Sequence, residues 1–130
     1  MKQPDYLLQS TSRVIAIVDD DASIRAAVDS LLRSRGYSVC AYESAEALLE
    51  SSELDYLSCV ITDVRMPAIS GIQLQALLRE QGRTIPFIFV TAFPETGVRA
   101  QALHGGAVCF LEKPFDGPTL LQCVERALRT

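Results

Sequence analysis

Aspartate side chains cluster at the ends of two apolar runs. Three consecutive aspartates follow the run of residues 14–18, and Asp63 follows the run of residues 58–62. Converging carboxylates repel one another unless a cation binds or some of them take up protons. A hard divalent ion such as Mg²⁺ suits one or two carboxylates and a carbonyl oxygen. Such a site beside an ammonium group favours phosphoryl transfer, with an aspartate as the nucleophile.

A lysine and a threonine lie at the ends of two further apolar runs. Thr91 closes the run of residues 86–91, and Lys113 comes shortly after the run of residues 107–111. Ten of the 12 basic residues are arginines, and the compact lysine ammonium is not interchangeable with a guanidinium. Taken singly, Lys113 would be interpreted as a surface lysine, Thr91 as an ordinary strand residue and Asp21 as a helix cap. Their common position at strand ends indicates a shared site.

These runs alternate with helical patterns. Continuous apolar runs are typical of strands buried on both faces of a parallel sheet. In the third helix Leu74, Leu77 and Leu78 should face the core. We therefore predict an α/β fold, a doubly wound five-stranded parallel sheet with helices on both faces, in which ligands bind beyond the carboxyl ends of the strands. The predicted strands are 14–18, 37–42, 58–62, 86–91 and 107–111, and the predicted helices are 21–35, 44–52, 70–81, 95–104 and one capped by Asp116.

Length and charge restrict the possible functions. The 130 residues suit one domain. We predict that residues 1–12 form a flexible N-terminal arm and that residues 13–130 form the folded part. The net charge of −4 has the wrong sign for binding nucleic acid or anionic lipid, and no apolar run approaches a membrane span. The arginines of the first and last helices, Arg25 among them, should lie on solvated faces.

The four cysteines are spaced unlike a zinc site or a thioredoxin-type pair. They lie in apolar runs, which favours small buried side chains, and the first residues lack the apolar stretch of a signal peptide. We therefore expect a reducing cytoplasm. The cysteines are Cys40, Cys59, Cys109 and Cys123.

Four motifs resemble the receiver domain of two-component response regulators. They are Val-Asp-Asp-Asp after the first strand, Ile-Thr-Asp-Val-Arg-Met-Pro-(x)3-Gly at 61–71, Val-Thr-Ala at 90–92 and Phe-Leu-Glu-Lys-Pro-Phe at 110–115. The last motif is most similar to the nitrogen-fixation-type transcription regulators, whose receivers usually precede a DNA-binding domain. The resemblance covers residues 13–129 and implies the flavodoxin-like strand order 2-1-3-4-5.

The resemblance implies a role for each acidic residue at the strand ends. Asp63 would be the phosphoacceptor, phosphorylated by a sensor histidine kinase. Asp20 and Asp63 would bind Mg²⁺, for which Mn²⁺ could substitute. Asp19 would act largely through water, and the main-chain carbonyl of Arg65 would complete the protein's ligands.

The resemblance also implies the parts of a switch. Lys113 would pair with Asp63 and then with its phosphoryl oxygens, and Thr91 would donate its hydroxyl to them. Phe110 would rotate inward as Thr91 moves, and Pro114 would follow a cis peptide bond. The phosphorylated chain could form a homodimer through the face of the fourth helix, fifth strand and fifth helix. Such a domain is a switch rather than a turnover enzyme, since it catalyses only its own phosphorylation and dephosphorylation.

Three alternatives remain at this stage. A phosphatase using Asp63 would carry a second aspartate two residues later, where this chain has Arg65. A flavin-phosphate domain would need a loop rich in glycine, serine or threonine after the first strand, where three aspartates would repel the phosphate. A receiver-like domain that is never phosphorylated would not need the complete acidic set. The resemblance to receivers implies that the side chains two residues past Asp63 and Thr91 tune dephosphorylation. These are the bulky Arg65 and Phe93, so we predict that they restrict the attacking water and prolong the phosphorylated state.

Overall fold

A computed structural model describes residues 13–129 and contains a five-stranded parallel sheet in the order β2-β1-β3-β4-β5. This confirms the predicted α/β class and strand order. The predicted N-terminal arm lies outside the described residues. The strands are β1 (Val14–Val18), β2 (Ser38–Tyr42), β3 (Cys59–Asp63), β4 (Phe87–Thr91) and β5 (Cys109–Glu112), and the helices are α1 (Ala22–Arg33), α2 (Ala45–Leu49), α3 (Gly71–Glu80), α4 (Val98–His104) and α5 (Gly117–Leu128).

Side chains that alternate along the strands build a core on each side of the sheet. Ile15 and Ile17 of β1 pack on the side covered by α1 and α5, whereas Val14, Ala16 and Val18 pack on the side of α2, α3 and α4. All five residues of β1 are buried, as are those of β3 and β4. Burial on both faces explains why these strands are apolar without alternation.

Polar caps determine where most helices begin. Asp21 precedes α1 and accepts hydrogen bonds from the N–H groups of Ser23 and Ile24. Ser70 and Gln73 form a reciprocal capping box at α3. The side chain of Asp116 accepts from an N–H in the first turn of α5. These caps fix where the helices begin, and therefore where the loops that carry the acidic residues end.

Helix α4 begins later than predicted. Its first residue is Val98 rather than residue 95, because Gly97 takes φ +89° and has no side chain to cap the helix. Helix α2 ends at Leu49 rather than at residue 52, and a 3-10 helix that the sequence pattern did not predict follows at Leu54–Tyr56. The loop between β4 and α4 is therefore longer than the sequence pattern indicated.

The inner face of α3 differs from the prediction in one residue. Leu74 and Leu78 are buried, but Leu77 is half-buried and Gln75 takes the remaining inward position. The Gln75 amide donates a hydrogen bond of 3.5 Å to the carbonyl of Ala102 in α4, which is how a buried amide is accommodated. The expectation for Leu77 was wrong.

Two of the four cysteines form a disulfide. Cys109 at the start of β5 is bonded to Cys123 in α5, with their Cα atoms 6.1 Å apart. Cys59 is free and buried, and its burial raises the pKa of the thiol to about 12. Burial was thus predicted correctly for these three, but the pairing was not. Because disulfides are rare in the cytosol, the cysteines do not support a reducing compartment. In the part of the chain that the structure describes, no helix has the length and hydropathy needed to cross a membrane.

Candidate functional site

The acidic residues meet at the carboxyl edge of the sheet. Val18 of β1 pairs with Thr62 of β3, so the next residues, Asp19 and Asp63, lie level on adjacent strands. Ligand oxygens of Asp19, Asp20 and Asp63 all lie within 4.8 Å of one another. Asp19 and Asp63 are buried, whereas Asp20 is exposed. The site therefore opens to solvent on the side of Asp20.

Lys113 bridges the two buried carboxylates. Its Nζ donates hydrogen bonds of 2.9 Å to Asp19 Oδ2 and 2.9 Å to Asp63 Oδ2. The lysine side chain is only 14% exposed, so solvent screens these ion pairs weakly. Lys113 is thus the positive centre of the site, as the sequence predicted.

The environment opposes extra negative charge at this edge. Burial raises the pKa of the Asp19 carboxyl, although the hydrogen bond from Lys113 opposes the shift. Burial alone would lower the pKa of Lys113, but its hydrogen bonds to Asp19 and Asp63 raise it overall. The ammonium therefore stays charged, and Asp19 would gain from additional positive charge nearby.

Main-chain groups fix the orientation of both buried carboxylates. The N–H of Asp21 donates to Asp19 Oδ1 at 2.9 Å, and the N–H of Arg65 donates to Asp63 Oδ1 at 3.1 Å. Arg25 Nη1 also donates to the carbonyl oxygen of Asp19 at 2.7 Å. The expectation that Arg25 only faces solvent was therefore wrong, because α1 directs this side chain back towards the end of β1.

The residues of the expected switch lie beside this cluster. Thr91 is buried at the end of β4, and its Oγ1 accepts a hydrogen bond of 3.1 Å from the N–H of Phe93. Phe110 already lies in the core, with its ring centroid 6.4 Å from that of Phe89. The structure therefore describes Phe110 in an inward position. The peptide bond between Lys113 and Pro114 is cis.

A glycine is required where α3 begins behind the site. A Cβ built at Gly71 would lie 2.3 Å from the main-chain oxygen of Asp63. The N–H of Gly71 also donates to the carbonyl of Val64 at 2.9 Å. The sequence motif contains this glycine, but its role, close approach to the backbone of Asp63, is visible only in the structure.

Arg65 and Phe93 lie on the loops that follow Asp63 and Thr91, and they contact each other. The Arg65 guanidinium forms an ion pair with Glu95 and lies 5.2 Å from the centroid of the Phe93 ring. Sequence reasoning missed Glu95, since nothing in its local sequence distinguishes it from other surface glutamates. These contacts join the loop after β3 to the loop after β4.

The donor set fits a hard divalent cation. Three carboxylates with oxygens this close suit the octahedral oxygen shell that Mg²⁺ requires, and the exposed Asp20 leaves room for water ligands. The set contains no sulfur or imidazole, the ligands that favour zinc. The three residues could thus hold a metal ion; the carbonyl of Arg65 as a further ligand stays a prediction.

The fold and this edge define a doubly wound α/β domain with an acidic metal-binding site and a buried lysine. Residues 15–125 match the family model described as response regulator receiver domain, and the chain belongs to this family. It is therefore a receiver domain of two-component response regulators.

Sequence relatives are regulatory proteins of about twice this length. Nodulation protein W of Bradyrhizobium diazoefficiens is 40% identical over 118 residues, which cover 91% of this chain and 52% of that protein. Transcriptional regulatory protein FixJ of the same organism is 35% identical, covering 92% of this chain and 58% of that protein. The response regulator TodT of Pseudomonas putida is 38% identical, covering 94% and 54%. The chain thus spans about half the length of these curated relatives.

Solved structures agree with this assignment. The crystal structure of FixJ-N has a TM-score of 0.80 and 32% identity, covering 90% of this chain and 94% of that chain. The response regulator StyR has a TM-score of 0.84 and 37% identity, covering 90% and 59%. The resemblance to the nitrogen-fixation-type regulators is therefore confirmed.

Proposed function

We propose that Asp63 accepts a phosphoryl group from the phosphohistidine of a sensor histidine kinase. The observation that carries this proposal is the Lys113 ammonium bound to both Asp63 and Asp19 beside the exposed Asp20. A buried carboxylate next to an ammonium and a cation site is suited to attack a phosphoryl group, because most of the catalysis is positioning and charge neutralisation.

The reaction exchanges one phosphorus bond for another. A carboxylate oxygen of Asp63 attacks phosphorus, the P–N bond to the histidine breaks, and the histidine nitrogen keeps the electron pair. Asp19, Asp20, Asp63 and the Arg65 carbonyl would hold Mg²⁺, or Mn²⁺ in its place. When bound, the ion neutralises charge on the phosphoryl oxygens. The domain performs only its own phosphorylation and dephosphorylation, without turnover of a separate substrate.

Phosphorylation then shifts a pre-existing equilibrium between two conformations. Thr91 would leave the N–H of Phe93 and donate its hydroxyl to the phosphoryl group. Lys113 would follow the new negative charge. Phe110, which is already buried, would stay in the core as the space beside Thr91 empties.

The output of this switch is transcription, in a longer protein with a DNA-binding part. The relatives that carry regulatory names support this, as does the net charge, which leaves DNA binding to a region other than this domain. A homodimer through α4, β5 and α5 would form on phosphorylation, and the exposed Leu103 of α4 would contribute to its interface. We place the protein in the cytoplasm on its family membership alone, because receivers meet their kinases there, and the cysteines do not contribute to this placement.

Intact mass tests the phosphoacceptor. The parent incubated with acetyl phosphate and Mg²⁺ should gain one phosphoryl group, and Asp63→Asn should gain none. Asp21→Asn is a matched control, because Asp21 caps α1 and is exposed, so it should be phosphorylated like the parent. Omitting Mg²⁺ in the presence of a chelator should suppress the gain. An unchanged parent mass, or an equal gain in Asp63→Asn, would contradict the proposal.

Light scattering of the phosphorylated parent and of phosphorylated Leu103→Asp then tests the proposed dimer.

A further inference from the structure

Side-chain contacts join two loops that begin beside the site. The Arg65 guanidinium, on the loop after β3, forms an ion pair with Glu95, on the loop after β4. The same guanidinium lies over the ring of Phe93, 5.2 Å from its centroid, which is the geometry of a cation–π contact. We refer to Arg65, Phe93 and Glu95 as the loop clasp.

Both halves of the loop clasp are connected to residues of the site. The N–H of Arg65 donates to Asp63 Oδ1 at 3.1 Å. On the other side, the N–H of Phe93 donates to Thr91 Oγ1 at 3.1 Å. A change at Asp63 or Thr91 therefore acts on the loops that carry the clasp.

The ion pair in the clasp is weak enough to be exchanged. The side chains of Arg65 and Glu95 are 59% and 52% exposed, so water screens their attraction. A phosphoryl group carries more charge than a carboxylate and offers three acceptor oxygens, which a guanidinium binds through two parallel hydrogen bonds. Once a phosphoryl group is present two residues away, it is the stronger partner for Arg65.

We propose that Glu95 is a positioning residue that competes with the phosphoryl group for Arg65. Before phosphorylation Glu95 holds the guanidinium between the two loops. Afterwards Arg65 moves to the phosphoryl oxygens, and Glu95 is left without its ion-pair partner. This inference rests on the proposed phosphorylation of Asp63, and it assigns to Glu95 the tuning of that site.

A double-mutant cycle with beryllium fluoride tests the competition. This phosphoryl mimic is titrated in Mg²⁺ against the parent, Glu95→Gln, Arg65→Met and the double variant, and bound fluoride is measured by ¹⁹F NMR. Glu95→Gln should bind the mimic about threefold more tightly, since about 0.65 kcal/mol is typical of an exposed ion pair. Arg65→Met should bind it more weakly than the parent. In the Arg65→Met background, Glu95→Gln should have no effect.

Controls separate competition from a general charge effect. Glu80→Gln, at the exposed end of α3, also removes one negative charge and should leave the affinity at the parent value. Glu95→Asp keeps the charge and should stay closer to the parent than Glu95→Gln. The inference is overturned if Glu95→Gln leaves the affinity unchanged, or tightens it equally without Arg65. If the parent does not bind the mimic, the proposed function and this inference both fail. If the parent binds the mimic and Asp63→Asn does not, the proposed function stands and the double-mutant cycle alone decides the inference.

Discussion

Replacing Lys113 by methionine removes the ammonium but keeps an unbranched side chain of similar length. The change breaks two charge-assisted hydrogen bonds of 2.9 Å and leaves two buried carboxylates facing each other. Breaking a buried ion pair on one side typically costs 3–5 kcal/mol. Because Lys113 and Asp63 keep some contact with solvent, we expect the free energy of unfolding to fall by about 3 kcal/mol in the absence of divalent ions.

Magnesium should reverse part of this loss. If the ion and the ammonium compete for the same carboxylates, Lys113→Met binds Mg²⁺ more tightly than the parent. At a concentration ten times its dissociation constant, an ion adds about 1.4 kcal/mol to stability, and at a hundred times it adds about 2.7 kcal/mol. A tenfold gain in affinity would therefore appear as about 1.3 kcal/mol of additional stabilisation in the variant.

Urea unfolding in EDTA and in MgCl₂ measures both effects. Lys113→Arg is the matched control, because it keeps the charge but its planar guanidinium does not reproduce the two hydrogen bonds of the ammonium. Its loss of unfolding free energy should therefore be smaller than that of Lys113→Met. If Mg²⁺ stabilises the parent and Lys113→Met equally, the ion does not share these carboxylates with the ammonium. A loss below 1 kcal/mol in EDTA would show that the bridge contributes little to the fold.

Three further predictions follow from single contacts. Gly71→Ala should lose about 1–3 kcal/mol of unfolding free energy and slow the proposed phosphorylation, because its Cβ would meet the main-chain oxygen of Asp63. Gly117→Ala should do neither, and equal urea midpoints for the two variants would refute this. Cys123→Ser, or a reductant, should lower the unfolding free energy by about 3 kcal/mol by opening a short disulfide loop, and a melting temperature indifferent to reductant would contradict it. Arg65→Ala and Phe93→Ala should each shorten the lifetime of the aspartyl phosphate by admitting water; decay as slow as in the parent would refute the shielding.

Local patterns in the sequence were sufficient for the α/β class and for placing the candidate residues at strand ends, whereas the strand order came from the family resemblance. Continuous apolar runs identify strands buried on both faces, and parallel strands bring their carboxyl ends to one edge. Asp19, Asp63, Thr91 and Lys113 each follow or close such a run, so their proximity could be predicted without coordinates. The order of elements, together with the strand order that the resemblance implied, therefore indicated which side chains meet.

The contacts that escaped prediction join distant residues without a local signal. Glu95 lies 30 positions from Arg65, and its position depends on the late start of α4, which Gly97 determines. The disulfide depends on how α5 packs back on β5, and spacing alone cannot identify which cysteines pair. Such features require the tertiary structure, because the chain can place a surface side chain or a thiol beside many partners.

Charge balance at the carboxyl edge connects the metal site with the loop clasp. Three carboxylates against one ammonium leave an excess of two negative charges, which one divalent ion would cancel. The proposed phosphorylation of Asp63 would replace one negative charge by nearly two, so one divalent ion would no longer suffice. The next cation available on the same loop is Arg65, whose N–H already binds Asp63 and whose guanidinium is held by Glu95. The ion pair of Arg65 with Glu95 has to be weak and exposed for this exchange, since a strong ion pair would keep the guanidinium from the phosphoryl group.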